Sequence, residues 1–485
     1  MSSIRKNFVY NILLSVTQVL FPLITFSYVA RIIQPDGVGT VSFVESICRY
    51  AILIAALGIP IYGVREVAKC KEDKIKLNQL FNELVIIHLL TTIFTILVYI
   101  LMVFNIDKFY QNISFYILGI AMILSNVFVI EWYFQGIGDF KFITIRTLVI
   151  RTITTISVFF LVKNSQDSIY FFLLAVLTNV LNGIINFWYA QKTIELNFNV
   201  ELVRLKKHLI PLFYIFSTTL SISIYVLLDT IMLGFLSSEN AVGFYSMALR
   251  ISKIPMLFVG ALGTVLIPQL AYSYGQNNLE EFKKLISKSV IFVISFSIPI
   301  IFLLLGVSKN LIVVFAGSEF AEATMTLQIL SVVVLLIGMS NIFGLQILTP
   351  MGKDKYLTIS VVMGTITSVV LNFFLIPLFQ EVGAAISNII TECLVTAATF
   401  YFSSKFIKLN LDYIFILKTL VLCVPIYFLP KSLYYLTTDN LLILVGTVLV
   451  TAIYYLGLQL YVLKNEIIIE LYSKLKLKLW PNTII

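Results

Sequence analysis

Apolar runs of about 20 residues recur along the whole chain, separated by short stretches that contain charged residues, proline or glycine. An α-helix rises about 1.5 Å per residue, so a run of about 20 residues is long enough to cross the hydrocarbon core of a bilayer. The breaks between the runs predict fourteen membrane-spanning helices. Their expected starts lie near residues 8, 39, 81, 113, 144, 168, 210, 241, 287, 324, 356, 382, 411 and 440.

The composition agrees with this pattern. Of the 485 residues, 59% are hydrophobic and 12% are charged, whereas a soluble domain carries roughly a quarter charged residues. Four cysteines are far apart and have no CxxC spacing, so they indicate neither a disulfide framework nor a zinc site; they are Cys48, Cys70, Cys393 and Cys423. The predicted fold class is an all-α polytopic membrane protein, with no metal and no resident cofactor.

The basic residues are distributed unevenly about the predicted helices. With the N-terminus in the cytoplasm, 24 Lys and Arg residues fall in inner segments and five in outer ones. Cytoplasmic loops are enriched in Lys and Arg, so both termini are predicted to be cytoplasmic. The net charge of +9 is therefore interpreted as an orientation signal and not as a nucleic-acid-binding surface.

Two segments outside the helices also carry expectations. The longest outer loop is expected over residues 308–324, which leaves no room for an outer domain. The basic tail over residues 466–480 is expected to lie on the inner leaflet or to act as a plain positively charged anchor.

The sequence contains an internal repeat. The stretch VGTVS at residues 38–42 resembles VGFYS at residues 242–246, and the same offset of 204 residues relates Arg49 to Lys253. Because six predicted helices separate the two stretches, both enter the membrane from the same side, which indicates a parallel six-helix repeat with substrate between the halves. The expected domains are an N-lobe of helices one to six (1–190), a cytoplasmic linker (191–209), a C-lobe of helices seven to twelve (210–404), and helices thirteen and fourteen with the tail (405–485).

Charged residues inside predicted helices are the first candidates for a functional site. Arg49 and Lys253 each lie roughly 15 Å below the predicted outer surface, where exposure of a charge to lipid is costly. Glu45 lies one turn before Arg49 and is expected to pair with it. Asp229 on the preceding helix is a candidate neighbour of Arg250 and Lys253. Two interpretations stay open: these residues form a basic cavity for an anionic substrate, or they only lock helices together.

Three further intramembrane positions are candidates. Glu392 lies in the middle of predicted helix twelve, where it could bind a coupling cation or hydrogen-bond a neighbouring helix. Arg151 is expected near the inner end of helix five, with its guanidinium reaching the interface. Pro22 interrupts helix one near its middle, as a hinge does, although prolines also occur in transmembrane helices that do not move.

Motifs of enzymatic chemistry are missing from the sequence. No GxxxxGK[ST] phosphate-binding loop and no DxD pair occurs, and His88 and His208 stand alone in apolar helices, where packed residues are commoner than ligands. A membrane glycosyltransferase or polysaccharide polymerase would need polar catalytic groups in a sizeable outer loop. Transport driven by a gradient of ions or of the substrate is the function class that remains, so the chain is not expected to be an enzyme.

Four stretches of the sequence, in both halves of the chain, carry a family resemblance. They are residues 28–69, 131–146, 267–290 and 344–392, which begin YVARIIQPDG, EWYFQGIGDF, IPQLAYSYGQ and GLQILTPMGK. In this order and spacing they resemble the polysaccharide repeat-unit flippases (Wzx family) of the multidrug/oligosaccharidyl-lipid/polysaccharide exporter superfamily. The resemblance implies two six-helix lobes around a cavity that opens alternately to either side. It also implies an undecaprenyl-diphosphate-linked oligosaccharide as cargo, moved from the inner to the outer leaflet of the bacterial cytoplasmic membrane.

The resemblance gives the candidate residues a chemical role. The diphosphate of such a cargo is an anion, which suits a cavity containing the cations Arg49, Arg250 and Lys253 because guanidinium groups bind phosphate well. Trp132 and Gln135, at the inner end of helix four, belong either to an interfacial aromatic belt or, with Arg151, to an inner rim where cargo enters. Expected partners are the lipid-linked oligosaccharide, membrane lipids, and the polysaccharide polymerase with its chain-length machinery.

Two alternatives are kept. The same superfamily contains multidrug exporters driven by Na⁺ or H⁺, whose cavities usually need acidic groups, and the basic candidates argue against that function. Glu45, Asp229 and Glu392 are nevertheless candidates for H⁺ or Na⁺ coupling. The alternative from a different class is the membrane glycosyltransferase or polymerase.

Overall fold

The described part of the chain consists of α-helices joined by short connections. The computed structural model describes residues 2–196, 202–409, 412–463, 465, 468 and 469. The helices are α1 (Ser2–Ala56), α2 (Ile59–Cys70), α3 (Lys74–Asn105), α4 (Asp107–Gln111), α5 (Ile113–Asn126), α6 (Glu131–Ile137), α7 (Phe140–Leu161), α8 (Ser168–Ala190), α9 (Leu202–Leu236), α10 (Glu239–Lys253), α11 (Met256–Gly275), α12 (Leu279–Ala316), α13 (Ala323–Leu330), α14 (Val333–Asn341), α15 (Asp354–Ser404), α16 (Tyr413–Leu433) and α17 (Asn440–Gly457). No strand occurs among the described residues, and the all-α prediction is confirmed.

Ten helical segments in the described part are long and apolar enough to cross a membrane. Two of them, Phe21–Cys70 and Asp354–Ser404, have 50 and 51 residues and contain a break, so each corresponds to two predicted spans. Thirteen of the fourteen expected starts fall on helical residues. The start near residue 411 lies outside the described residues, as does nearly all of the expected basic tail. The polytopic membrane class is confirmed.

Helix α1 is interrupted at Gln34, whose φ of 61° and ψ of 179° are not helical. The next residue is Pro35, and a proline disfavours the helical conformation of the residue before it and cannot donate a helical hydrogen bond. The second arm of α1 therefore begins at Pro35, and this arm carries Glu45 and Arg49. Pro22, the expected hinge, lies within the helix, and its role as a hinge stays a prediction. The break of this helix is at Gln34.

Helix α15 folds back on itself at Gln380, which has a φ of 49° and a ψ of −126°. The bend is tight, because a Cβ on Gly383 would clash with the carbonyl oxygen of Leu375. Beyond the bend the two arms lie side by side, and Ser387 Oγ donates to the Ser368 carbonyl at 3.4 Å. The hairpin accounts for predicted spans eleven and twelve.

The connection after α12 is shorter than expected. Helix α12 continues to Ala316, so most of the outer loop expected over residues 308–324 is helical and that prediction is wrong. Ser308, expected in this loop, is fully buried, and its hydroxyl donates to the carbonyl of Leu304.

Polar caps fix helix starts at the predicted inner side. Asp73 caps α3, with its Oδ1 accepting from the Lys76 backbone N–H at 3.1 Å and its Oδ2 lying 3.0 Å from Lys76 Nζ. These two bonds hold the pKa of the Asp73 carboxyl below its ordinary value. Asn278 and Asp412 cap α12 and α16 in the same way.

The chain divides into two compact units, Met1–Gly243 and Phe244–Ile485. Each has its own hydrophobic core, which includes Phe81 in the first unit and Phe282 in the second. The division lies beyond the lobe boundary expected from the repeat, because α9 packs against α1, α2 and α3. The lobe limits taken from the repeat stay a prediction.

The two glycines of the repeat are in close contact. A Cβ on Gly39 would clash with the carbonyl oxygen of Glu239, and a Cβ on Gly243 would clash with the carbonyl oxygen of Pro35. Both pairs are related by the 204-residue offset, so the contact is reciprocal. Small residues at such positions let helix backbones approach closely. The repeat seen in the sequence is thus reflected in a symmetric backbone contact.

Candidate functional site

The Glu45–Arg49 pair lies on the second arm of α1. Arg49 Nη2 lies 2.6 Å from Glu45 Oε1, and Arg49 Nε lies 3.0 Å from the same oxygen. The Arg49 side chain is 58% exposed and that of Glu45 is 19% exposed. A charged side chain this exposed within a long apolar helix has to face water or polar groups, because contact with lipid tails is costly. The expected pairing is observed, and much of the Arg49 side chain is exposed.

The neighbouring residues of this arm are packed against other helices. Cys48 is buried, with its Sγ 3.5 Å from Tyr99 Oη of α3. Asp229 of α9 is 3% exposed and interacts electrostatically with Tyr50. These contacts join the arm that carries Arg49 to α3 and α9.

Arg250 and Lys253 lie in the last turn of α10, which ends at Lys253. Arg250 is exposed and Lys253 is half-buried. Cations in the last turn are stabilised by the negative end of the helix dipole. Lys253 therefore marks a break within predicted span eight, whereas its repeat counterpart Arg49 lies inside a continuous arm.

Arg146 of α7 forms a buried charge cluster that was not predicted. Its Nη2 lies 2.5 Å from Glu131 Oε1 and 3.0 Å from Thr147 Oγ1, and its Nη1 donates to Asn186 Oδ1. The Arg146 side chain is 3% exposed. With helix five expected to start near residue 144, Arg146 was counted among the basic residues of the inner segments, but α7 begins at Phe140. The cluster joins α6, α7 and α8.

Arg151 is half-buried and lies in the middle of α7, not near its inner end. Its Nη1 donates to the carbonyl of Thr17 on α1 at 3.2 Å, and it interacts electrostatically with Glu131 and Arg146. A neighbouring helix thus supplies one acceptor for Arg151, and the place of Arg151 at the inner rim stays a prediction.

Trp132 is buried, with 5% of its surface exposed. Its ring lies against Gly63, where a Cβ would come within 2.6 Å of Trp132 Cε3, and its centroid lies 5.6 Å from that of Phe81. A ring buried in this way lines neither an exposed rim nor an interfacial belt, so Trp132 has a packing role in this structure. Gln135 is half-buried and stays a candidate for the rim.

Four side chains from α2, α3 and α9 form a second polar chain that was not predicted. Tyr62 Oη lies 2.7 Å from His208 Nδ1, and His208 Nε2 lies 2.8 Å from Glu83 Oε2. Lys207 Nζ lies 2.9 Å from the same Glu83 oxygen. Glu83 is 1% exposed and His208 is 3% exposed. The isolated position of His208 in the sequence gave no signal of these partners, since they are more than 120 residues away.

Glu392 lies buried on the second arm of α15, next to Thr391, which is also buried. In the described ranges, no group of three or more His, Cys, Asp or Glu side chains lies close enough together to hold a metal ion. A role for Glu392 in ion coupling stays a prediction.

Residues 4–274, more than half of the chain, match the family described as polysaccharide biosynthesis protein. The chain belongs to the polysaccharide biosynthesis protein family. Residues 215–374 also match the MatE family.

Relatives of this polysaccharide biosynthesis protein match over most of their length. One from Escherichia coli (strain K12), named "Putative O-antigen transporter", is 25% identical over 409 residues, which cover 82% of this chain and 96% of the relative. One from Staphylococcus aureus, named capsular polysaccharide biosynthesis protein CapF, is 24% identical over 414 residues, covering 82% and 99%. Among solved structures, the lipid II flippase MurJ in an inward closed conformation matches with a TM-score of 0.73 at 15% identity, covering 93% of this chain and 97% of MurJ. The polysaccharide biosynthesis protein therefore has the fold of MurJ.

Proposed function

We propose that this polysaccharide biosynthesis protein is a flippase for undecaprenyl-diphosphate-linked oligosaccharides, which it moves from the inner to the outer leaflet of the bacterial cytoplasmic membrane. The observation that carries the proposal is the match, over most of both chains, to relatives named for O-antigen transport and capsular polysaccharide biosynthesis. The fold shared with a protein named lipid II flippase also supports a flippase function.

The cargo diphosphate binds to Arg49, Arg250 and Lys253 in this proposal. Arg49 supports it most directly, since its side chain is more than half exposed although it lies in an apolar helix. Guanidinium groups form paired hydrogen bonds with phosphate oxygens, and an ammonium supplies a point charge. Glu45 holds part of the Arg49 guanidinium, so neutralisation of Glu45 would release that part for cargo.

Transport proceeds by alternating access and without ATP hydrolysis, since the sequence contains no GxxxxGK[ST] loop. The driving force is the cargo's own concentration difference or the coupled movement of H⁺ or Na⁺. Glu45, Asp229 and Glu392 are the acidic residues proposed for coupling. Both termini lie in the cytoplasm, and the polysaccharide polymerase with its chain-length machinery receives the cargo outside.

A cation-coupled multidrug exporter is the second candidate, and the match of residues 215–374 to the MatE family favours it. A drug exporter would confer resistance to cationic compounds, and its loss would leave surface polysaccharide unchanged. The basic character of the candidate residues supports the flippase over this alternative.

Analysis of lipid-linked intermediates in a strain that lacks the gene tests the proposal. We expect the undecaprenyl-diphosphate oligosaccharide to accumulate at the length of one repeat unit, shielded from an impermeant glycosidase added outside the cytoplasmic membrane. Accumulation of truncated glycans would instead indicate a glycosyltransferase. Accumulation of full repeat units that the glycosidase does reach would indicate a polymerase.

A further inference from the structure

The start of α7 and the end of α8 have close counterparts at the two ends of α15. GDFKFITI at residues 138–145 resembles GKDKYLTI at residues 352–359, with an offset of 214 residues. WYAQKTIELN at residues 188–197 resembles YFSSKFIKLN at residues 401–410, with an offset of 213 residues. Each pair of stretches is identical at four positions. The internal repeat therefore extends to these four segments.

In the first unit, one lysine lies over two aromatic rings, and a carboxylate lies beside them. Lys192 Nζ is 4.7 Å from the centroid of the Trp188 ring and 5.1 Å from that of Tyr189, within the range of cation–π attraction. The Tyr189 ring stacks on Phe142, with centroids 3.8 Å apart, and its hydroxyl donates to Asp139 Oδ2 at 3.4 Å. The aromatic surface below Lys192 is thus bonded to an acidic residue.

In the second unit, two lysines lie over a joined set of aromatic rings. Lys405, which follows the end of α15, has its Nζ 5.6 Å from the centroid of the Phe402 ring. Lys353, which precedes the start of α15, has its Nζ 5.1 Å from the centroid of Phe406. The Tyr356 ring connects the two, with its centroid 4.9 Å from that of Phe402 and 5.5 Å from that of Phe406. Both ends of the folded helix therefore contribute a cation to one aromatic surface.

The two copies differ in charge at matched positions. Asp139 corresponds to Lys353, and Glu195 corresponds to Lys408. Glu195 and Lys408 are exposed, whereas Asp139 and Lys353 are half-buried. With two lysines and two acidic residues, the stretches of the first copy carry no net charge. Those of the second copy contain four lysines and Asp354, so their net charge is +3. The second site therefore favours an anion, and the first does not.

Both sites lie where an apolar span ends. The candidate spans end at Ala190 and Ser404, so Lys192 and Lys405 follow them within two residues. Both lysines are exposed. Aromatic rings and lysines at this depth meet lipid headgroups, and clustered lysines next to a span attract anionic lipids. A lipid phosphate is thus the anion that these side chains encounter at the membrane surface.

We propose that the two ends of α15 form a binding site for the headgroup of an anionic phospholipid, and that the matched site of α7 and α8 has no preference for anionic lipids. Lys353 and Lys405 bind the headgroup, while the exposed rings of Tyr401 and Phe406 contact the lipid below it. Because one lysine precedes α15 and the other follows it, a bound headgroup links the two ends of this helical hairpin. The proposal does not depend on the transported cargo.

Quenching of tryptophan fluorescence by brominated lipids tests the proposal on the purified protein without cargo. Tyr401→Trp places a reporter in the second site, since this ring is 58% exposed and its centroid lies 4.3 Å from Lys405 Nζ. Trp188, which is 62% exposed, is the native reporter of the first site. Trp480 is replaced by Phe in both proteins and Trp188 by Phe in the first, whereas Trp132 is kept because it is buried.

The bilayers contain phosphatidylcholine and phosphatidylglycerol, with one or the other brominated. We expect the Tyr401→Trp reporter to bind phosphatidylglycerol more strongly than phosphatidylcholine, and Trp188 to bind both equally. Replacement of Lys353 or Lys405 by Gln should lower the preference about fivefold for each lysine. Lys284→Gln is the control, since it removes an exposed lysine from α12 of the same unit. Equal quenching by both lipids at Tyr401→Trp, or at both reporters the same preference, would overturn the proposal.

A gain of binding in the first copy provides a test that does not require the Tyr401→Trp variant to fold. Glu195→Lys gives the first site the charge found at Lys408 in the second. We expect the Trp188 reporter then to prefer phosphatidylglycerol by about fivefold or more, and the preference to be lost when Lys192→Gln is added. An unchanged lipid preference in Glu195→Lys would contradict the assignment of lipid binding to these charges.

Discussion

Gly39 and Gly243 hold two helices in direct backbone contact, each glycine lying against a carbonyl of the other helix. The carbonyls belong to Pro35 and Glu239, so the contact repeats itself at an offset of 204 residues. A side chain at either glycine would separate the helices. Around this contact, Lys108 Nζ lies 3.9 Å from Glu239 Oε1 and donates to the Ser237 carbonyl at 3.3 Å.

Substitution of either glycine should destabilise the protein. Gly39→Ala and Gly243→Ala each place a methyl group against a backbone carbonyl that cannot rotate away, and overpacking of this kind costs about 1–3 kcal/mol. Because one contact contains both residues, the double variant should lose less than the sum of the two single losses. Thermal unfolding in detergent measures this. Gly260→Ala is the control, since a Cβ there meets no atom within 4 Å. Equal stability of the Gly39 and Gly260 variants would contradict the account.

Removal of Arg49 should impair transport more than folding. Arg49→Ala should reduce flipping about tenfold or more, since a hydrogen bond to a charged group contributes about 1.5–3 kcal/mol. Arg49→Lys should recover part of the activity, because it keeps the charge and loses the paired hydrogen bonds. The measurement is cargo flipping normalised to the amount of folded protein. Arg65→Ala is the control, since Arg65 forms an exposed pair with Glu66.

If Arg49 has a purely structural role, the variants should behave differently. In that case Arg49→Ala should lower the amount of folded protein, and Glu45→Gln combined with Arg49→Gln should restore folding and transport together. Wild-type transport in that double variant would exclude Arg49 from cargo binding.

The pair of Glu131, whose side chain is 35% exposed, with the buried Arg146 should tolerate the loss of both charges better than the loss of one. Glu131→Gln leaves the guanidinium of Arg146, 3% exposed, without a counter-charge, and breaking a buried pair costs about 3–5 kcal/mol. Glu131→Gln combined with Arg146→Gln should recover much of this loss because no buried charge remains. Thermal unfolding of the single and double variants tests the prediction. Glu66→Gln should change stability by at most about 1 kcal/mol, as expected for an exposed pair.

Local patterns in the sequence were sufficient to predict part of the fold and of the candidate site. The helices follow from apolar runs, and the Glu45–Arg49 contact follows from a spacing of four residues in one helix. Helix α12 was predicted too short because an outer loop was expected to begin at Ser308. The buried Asn310 amide is instead satisfied by Tyr434 Oη and Asn440 Oδ1, each 2.7 Å away, and these partners are more than 120 residues distant in sequence.

The missed charge clusters have the same physical cause. The contact of His208 with Glu83 depends on the packing of α9 against α3, and no local pattern encodes that packing. Arg146 was counted with the inner segments, but α7 begins four residues earlier than expected and Arg146 is buried within it. Tryptophan is common at membrane interfaces, but the Trp132 ring is buried because it packs against Gly63 of another helix.

Thiol labelling in a cysteine-free background tests the membrane orientation. Ser165→Cys and Ser318→Cys should react with an impermeant reagent from outside, and Asn278→Cys and Ser404→Cys should react only after the membrane is permeabilised. All four positions are exposed in the structure, so a failure to react reflects sidedness and not burial. The opposite pattern would reverse the predicted topology.

The central claim is that this protein moves a lipid-linked oligosaccharide across the membrane without altering it. The most direct measurement reconstitutes purified protein in liposomes that contain an undecaprenyl-diphosphate oligosaccharide, without ATP, and follows its exposure to an impermeant glycan-modifying enzyme. We predict that the protected half of the cargo becomes accessible with wild-type protein, much more slowly with Arg49→Ala, and always with its glycan at the original length. Cargo that remains half protected with folded wild-type protein, or a glycan that becomes longer, would contradict the claim.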